Sequence, residues 1–218
     1  HNMPADTNTP PSTVDHKPHA AFFRQSGWMV MASMLGGAMS FGVHFLNKWV
    51  SQGAYGNFGT LLMMISCIPA IPLQMVFAQQ TAAALAEGRE RQLAGMIQRA
   101  WVWTFAIWLI GAIVMTVFSG RIVGSLGVPS SALFVTLGAI LASIWLPLFS
   151  GVMQGRQDFF WYGWSLILGG IFRVAIAALL VIAMHVGATG MLGGALAGVA
   201  AAGVIGIWRT RDLRGVKP

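Results

Sequence analysis

The run FFWYGWSLILGGIFRVAIAALLVIAMH, residues 159–185, holds one charged residue, Arg173, in a stretch longer than the roughly 20 residues that cross a bilayer. A run this long and this apolar reads as a transmembrane helix. Working outward, five more stretches read the same way: Gly27–Val50, Phe58–Gln80, Ala100–Phe118, Ala132–Met153 and Gly190–Trp208. Lipid leaves no backbone polar group unpaired, so spanning segments are helices or closed barrels, and a barrel would alternate in ten-residue strands. The expected fold class is an all-α integral membrane protein, six transmembrane helices in an antiparallel bundle. Residues 1–21 are expected to be a disordered cytoplasmic tail rich in proline and polar residues. Residues 22–210 form the six-helix domain and 211–218 a basic cytoplasmic tail.

The charges orient the bundle. If the spans alternate, Lys17, Arg24, Arg89, Arg91, Arg99, Arg156, Arg209, Arg211, Arg214 and Lys217 share one side, and only Lys48 and Arg121 fall on the other. This asymmetry over short loops is the positive-inside rule, which predicts cytoplasmic N- and C-termini in a multi-pass protein of the cell (inner) membrane. At 56% hydrophobic and 9% charged residues, the composition is that of a membrane protein rather than a soluble domain. The net charge of +7 is spread over separate short segments, unlike the single basic face of a nucleic-acid binder, so no nucleic-acid partner is expected. Cys67 is the only cysteine, and the five histidines are scattered. No metal site, cofactor or catalytic motif is therefore expected.

The connections at Ser51–Asn57, Ser119–Ser131 and Val186–Thr189 read as short outer loops, which predict antiparallel packing of consecutive helices. The inner connection Thr81–Gln98 reads as a helix running out of the second span, a turn near Gly88 and an amphipathic lead-in to the third. Trp28, Trp49, Trp101, Trp103, Trp161, Tyr162, Trp164 and Trp208 sit where headgroups belong and read as interfacial anchors. Trp108 and Trp145 lie deeper. Pro69, Pro72 and Pro147 predict kinks in the second and fourth spans. Gly190, Gly194, Gly198, Ala202 and Gly206 repeat every four residues, a spacing that lets two helix backbones approach closely. Their partner could be another helix of this chain, a second lobe or a second copy.

Two polar stripes are candidates for function. Arg173 lies near the middle of the fifth span, where charge is costly, and so should face the bundle interior or a wet cavity. Gly169, Ser165, Tyr162 and Asp158 share its helix face at 100° per residue. On the first span Ser33, Gly37, Ser40, His44 and Lys48 follow one another at three- or four-residue steps. A shared hydrophilic cavity would be lined by Lys48, His44, Arg173, Tyr162 and Ser165, with Gln74 beside Pro72.

Three stretches resemble polysaccharide flippases, a branch of the multidrug/oligosaccharidyl-lipid/polysaccharide exporter superfamily. LNKWVSQGAYGNFG (46–59) is similar to the family's A-R-x-L-G-x-x-x-Y-G-x-F run, with Lys48 at its basic position and Tyr55-Gly56 at its Tyr-Gly pair. GVMQGRQDF (151–159) is similar to G-x-x-Q-G-x-x-x-F, and AEGRERQL (86–93) to the acidic-basic inner connection. The resemblance covers roughly residues 25–212 and implies one lobe of a transporter whose members carry twelve or fourteen helices. It implies translocation of a polyprenyl-diphosphate-linked oligosaccharide for cell-surface polysaccharide biosynthesis, with a second six-helix lobe as partner. No bond is made or broken, so no enzyme activity is expected. The alternatives are half of a cation-coupled multidrug exporter, which needs a membrane carboxylate that these spans lack, and a non-transporting scaffold subunit.

Overall fold

The protein is described by a computed structural model over residues 17–211, with side chains described from Arg24 onward. The described chain is helical, and six helical segments are long and apolar enough to cross a membrane: Arg24–Trp49, Gln52–Ala86, Glu90–Val117, Ser130–Gly155, Phe159–Ala183 and Gly187–Arg209. Each corresponds to one expected span. Helix already begins at Lys17, inside the stretch expected to be a tail. The rest of that tail, and all but Arg211 of the C-terminal one, lie outside the described residues.

In chain order the elements are α1 (Lys17–Gly42), a 3₁₀ segment (Val43–Trp49), α2 (Gln52–Ser66), α3 (Ala70–Ala86) and α4 (Glu90–Val117). There follow α5 (Ser119–Leu126), α6 (Ser130–Gly155), α7 (Phe159–Ala178), a π turn (Leu179–Ala183) and α8 (Gly187–Arg209). Two expected loops are therefore largely helical. Ser51 caps α2 by accepting from the Ala54 N–H at 3.3 Å, so the second span starts at Gln52 rather than Phe58. The second outer loop contains α5, closed by Gly127 at φ +64°. The inner connection matches expectation: helix to Ala86, a turn with Gly88 at φ +67°, then α4 from Glu90.

The packing departs from the expected chain of consecutive neighbours. Only α7 and α8 are joined in sequence and also pack along their length. Gly169 approaches the Gly198 carbonyl, Gly194 meets Arg173 and Ala177, and Gly190 meets Leu180, so the two helices run antiparallel. The other close seams join helices that run the same way. α1 lies along α7, with Gly163 against Trp28 and Ala32, Gly36 against Leu166, and Gly42 against Val174. α3 lies along α6, where Cβ atoms on Gly151 and Gly155 would reach the Gln74 and Ala78 carbonyl oxygens at 2.5 Å. Gly206 of α8 abuts Phe149 of α6. Small residues thus set the neighbours, because without a hydrophobic force between helices in lipid close backbone approach decides association. Loop length does not. The α8 stripe is occupied within the chain.

α4 is peripheral, and Leu93 is its only buried residue. Trp108 donates to the Leu137 carbonyl at 2.9 Å, and Trp145 donates to Thr104 Oγ1 at 3.3 Å while stacking on Trp101 with centroids 4.5 Å apart. The two deep tryptophans therefore tie the third span to the fourth. Trp101 joins that stack, and Trp28 donates to the Phe159 carbonyl at 3.1 Å, so these two also hold helices together.

The main core gathers at the Lys48 end, where Val43, Leu46, Phe58, Leu61, Val181 and Met191 are all buried. At the opposite end Arg209 donates to Asp158 Oδ2 at 2.7 Å and lies over the Trp161 and Trp208 rings, fastening the end of α8 to the start of α7.

Candidate functional site

The α1, α6, α7 and α8 helices leave a cleft of about 130 Å³ beside Arg173. Its polar lining is Ser40 of α1, Ser150 of α6, and Ser165 and Arg173 of α7; Gly169, Gly198 and Ala202 keep the remaining wall close to backbone. The Arg173 Cβ and carbonyl lie close against Gly198 and Gly194 of α8, which leave no room there for a side chain of their own. Its Nε is buried and has no hydrogen-bond partner among the described residues. Nor does any carboxylate face it. Among the described acids, Glu87 pairs with Arg89, Glu90 begins α4, and Asp158 is bound by Arg209. The site is a cation near mid-span in a mainly apolar cleft that three serines also line, with no anion beside it among the described residues.

The size of the cleft limits what enters. A cleft of about 130 Å³ has room for several waters or one compact anionic group. A drug-sized ligand site is roughly 300–1,000 Å³, so an oligosaccharide does not fit inside this cleft.

Of the six expected site residues, two line the cleft: Arg173 and Ser165. Ser165, which is buried, spends its proton on the Tyr162 carbonyl at 2.7 Å. Tyr162 and Gln74 do not reach the cleft; Gln74 Nε2 donates to Tyr162 Oη at 2.8 Å, fastening α3 to α7. Tyr162 is 8% exposed, too buried for an interfacial anchor, and is not among the residues that line the cleft. His44 Nδ1 bonds Tyr55 Oη at 2.9 Å, joining the 3₁₀ segment to α2, and is not among the residues that line the cleft. Lys48 is exposed on the 3₁₀ segment, outside the cleft.

The stripe on the first span divides. Ser33 and Gly37 are exposed and Ala32 and Gly36 are buried in their place, so the α7-facing register is one residue off the polar one. Only Ser40 of that stripe borders Arg173. Ser150 was not legible as a site residue, since one serine in an apolar span has no distinguishing spacing.

The family-like motifs now have local physical roles. Gly151 and Gly155 are where α6 touches the α3 backbone, Gln157 takes a positive φ of 58° after the helix, and Phe159 accepts from Trp28. Tyr55 holds His44. Among the described residues no group of three or more metal-ligating side chains forms. No known protein family, curated protein or solved structure matches the chain.

Proposed function

We propose that this chain is a membrane flippase, or the N-terminal half of one, that moves a polyprenyl-diphosphate-linked oligosaccharide for cell-surface polysaccharide synthesis. The observation that carries the reading is Arg173: a membrane-depth cation whose buried Nε has no partner among the described residues, on a mainly apolar cleft with three serines in its lining and no described carboxylate beside it. Intramembrane ionisable residues pair or serve a pathway. The missing partner is an anion the size of a phosphate group, and a lipid-linked diphosphate supplies one while its polyprenyl chain stays in the bilayer. The glycan then runs outside the 130 Å³ cleft, along the face that a second six-helix lobe would close. The resemblance in residues 46–59, 86–93 and 151–159 points to the same substrate class.

In this reading the protein lies in the cell inner membrane with both termini cytoplasmic, as the distribution of Lys and Arg favours. Lys48 then stands at the opposite mouth, where it can meet the diphosphate on release. A cation-coupled exporter gains nothing from these spans, because the described acids sit at helix ends and in connections. A docking scaffold loses its motivating feature, since the α8 small-residue stripe is filled by α7 and α6.

The test is complementation of cells whose own flippase is deleted, scored as surface polysaccharide. Restoration by the parent gene with at least one repeat unit is expected. Failure with every repeat unit tried, despite protein in the membrane, overturns the proposal.

A further inference from the structure

The second span does not bend at its prolines; it stops and restarts. α2 ends at Ser66 and α3 begins at Ala70. Pro69 and Pro72 bring no N–H, so the donors that the Ile65 and Ile68 carbonyls would meet in a continuous helix are absent. The chain compensates in part: Ile68 N–H turns to the Ile65 carbonyl at 3.2 Å, and Ala70 N–H to the Ile68 carbonyl at 2.7 Å. The carbonyls of Ser66 and Cys67 receive no hydrogen bond among the described residues, and the Ile71 N–H gives none. Ser66, Cys67, Pro69 and Ile71 are all exposed, so no helix of the six-helix body covers this stretch. The gap lies near the middle of the Gln52–Ala86 segment and therefore at membrane depth. Non-helical backbone persists at that depth only under a protein cover or against water.

We infer that this gap is a hydrated stretch in the wall of the translocation path, where the Ser66 and Cys67 carbonyls accept from, and the Ile71 N–H donates to, hydroxyl groups of a passing polyol. A hydroxyl both gives and takes a proton, so it satisfies either kind of group. The gap carries no charge, which separates it from Arg173: the anionic end of the solute belongs to the cleft and the sugar to the gap. The identity of the solute rests on the flippase reading. The hydration of the gap does not, since it is argued from the unpaired backbone and the exposure of Ser66, Cys67 and Pro69.

The chain's single cysteine, Cys67, is exposed at the gap and reports on it without any substitution. Thiols react as thiolates, which form in water and not in lipid. Membranes carrying the protein are treated with a charged thiosulfonate, and in parallel with a lipid-soluble maleimide. Controls in a Cys67→Ser background are Gln52→Cys at the exposed start of α2 and Ile107→Cys on the exposed face of α4. The charged reagent should modify Cys67 within about tenfold of the Gln52→Cys rate and about a hundredfold faster than Ile107→Cys. A Cys67 as slow as Ile107→Cys with the charged reagent, yet open to the maleimide, means the gap faces lipid and overturns the inference. Protection from both reagents overturns it as well, because protein then covers the gap. In a Pro69→Ala/Pro72→Ala variant the charged-reagent rate should fall about tenfold as the helix closes, with loss of polysaccharide export. Normal export in that variant removes the hydroxyl contact. Labelling of Cys67 without complementation defeats the flippase reading alone; complementation with an unlabelled Cys67 defeats this inference alone.

Discussion

The seam between α7 and α8 and the lone helix α4 are similarly apolar, and they make opposite demands on their surroundings. A Cβ on Gly198 would lie 2.5 Å from the Gly169 carbonyl oxygen and 2.8 Å from the Arg173 Cβ. On Gly95 or Gly111 of α4 it would meet nothing within 4 Å. One glycine is a condition of the fold, and the other is a gap in a lipid-facing surface. Hydropathy reports that both helices belong in the membrane. It does not report which surface another backbone must touch, and that is where stability and the Arg173 site both reside.

The largest effect should follow from filling the seam. Gly198→Val forces α8 off α7 along a backbone contact, and overpacking of this kind should cost about 3 kcal/mol, the upper part of the usual range. The expected outcome is loss of most folded protein on size-exclusion chromatography in mild detergent. Wild-type yield and melting temperature would mean that the α7–α8 contact is looser than described and would erase the contrast with α4.

Arg173 sharpens the comparison because it belongs to the same seam but is not needed to hold it: its side chain bonds nothing among the described residues. Arg173→Ala and Arg173→Glu should therefore abolish transport while leaving folded yield near wild type. Arg173→Lys should keep part of the activity, because charge matters more than guanidinium geometry in a wet site. The measurement is polysaccharide export per folded molecule. Normal specific activity in Arg173→Ala would take this residue out of the mechanism.

The sequence makes the six spans legible because length and apolarity are sums over twenty residues, insensitive to detail. It also makes Arg173 legible, since one charge in an apolar run has few explanations. The neighbours were not legible. Four-residue spacing in Gly190–Gly206 marks a close approach but does not name its partner, and all three main seams beyond α7–α8 join helices that are not consecutive in the chain. Tyr162 and Gln74 illustrate the same limit from the polar side. Each sits on a plausible stripe, and only the fold reveals that they answer one another across 88 residues. Pro69 and Pro72 announce a disturbance, but whether a helix kinks or breaks depends on the N–H groups that the next turn can redirect.

A smaller effect is expected where α4 is fastened. Trp108→Phe keeps the ring and loses the donor to the Leu137 carbonyl. One interhelical hydrogen bond in a membrane protein contributes about 0.6 kcal/mol, so the melting temperature should fall slightly and export should not change. A loss as large as that of Gly198→Val would make α4 an integral part of the bundle.

The smallest effect should come from Gly111→Leu, and its smallness is the sharper test of what surrounds α4. Gly111 is exposed and its missing Cβ faces open space, so a leucine there displaces lipid and touches no helix of this chain. Leucine also restrains helical backbone better than glycine, a gain of up to about 1 kcal/mol in water and less in a membrane, where the helix is already enforced. The sum is a change within about ±0.5 kcal/mol, tilted toward stabilisation. Measured on the solubilised chain, that result means that Gly111 touches no other helix of the chain. Measured as export in cells, it asks a further question. If Gly111→Leu leaves the isolated protein intact but halves export or displaces an associated chain, then α4 does not face lipid in the working assembly, and its bare surface is where a second lobe rests.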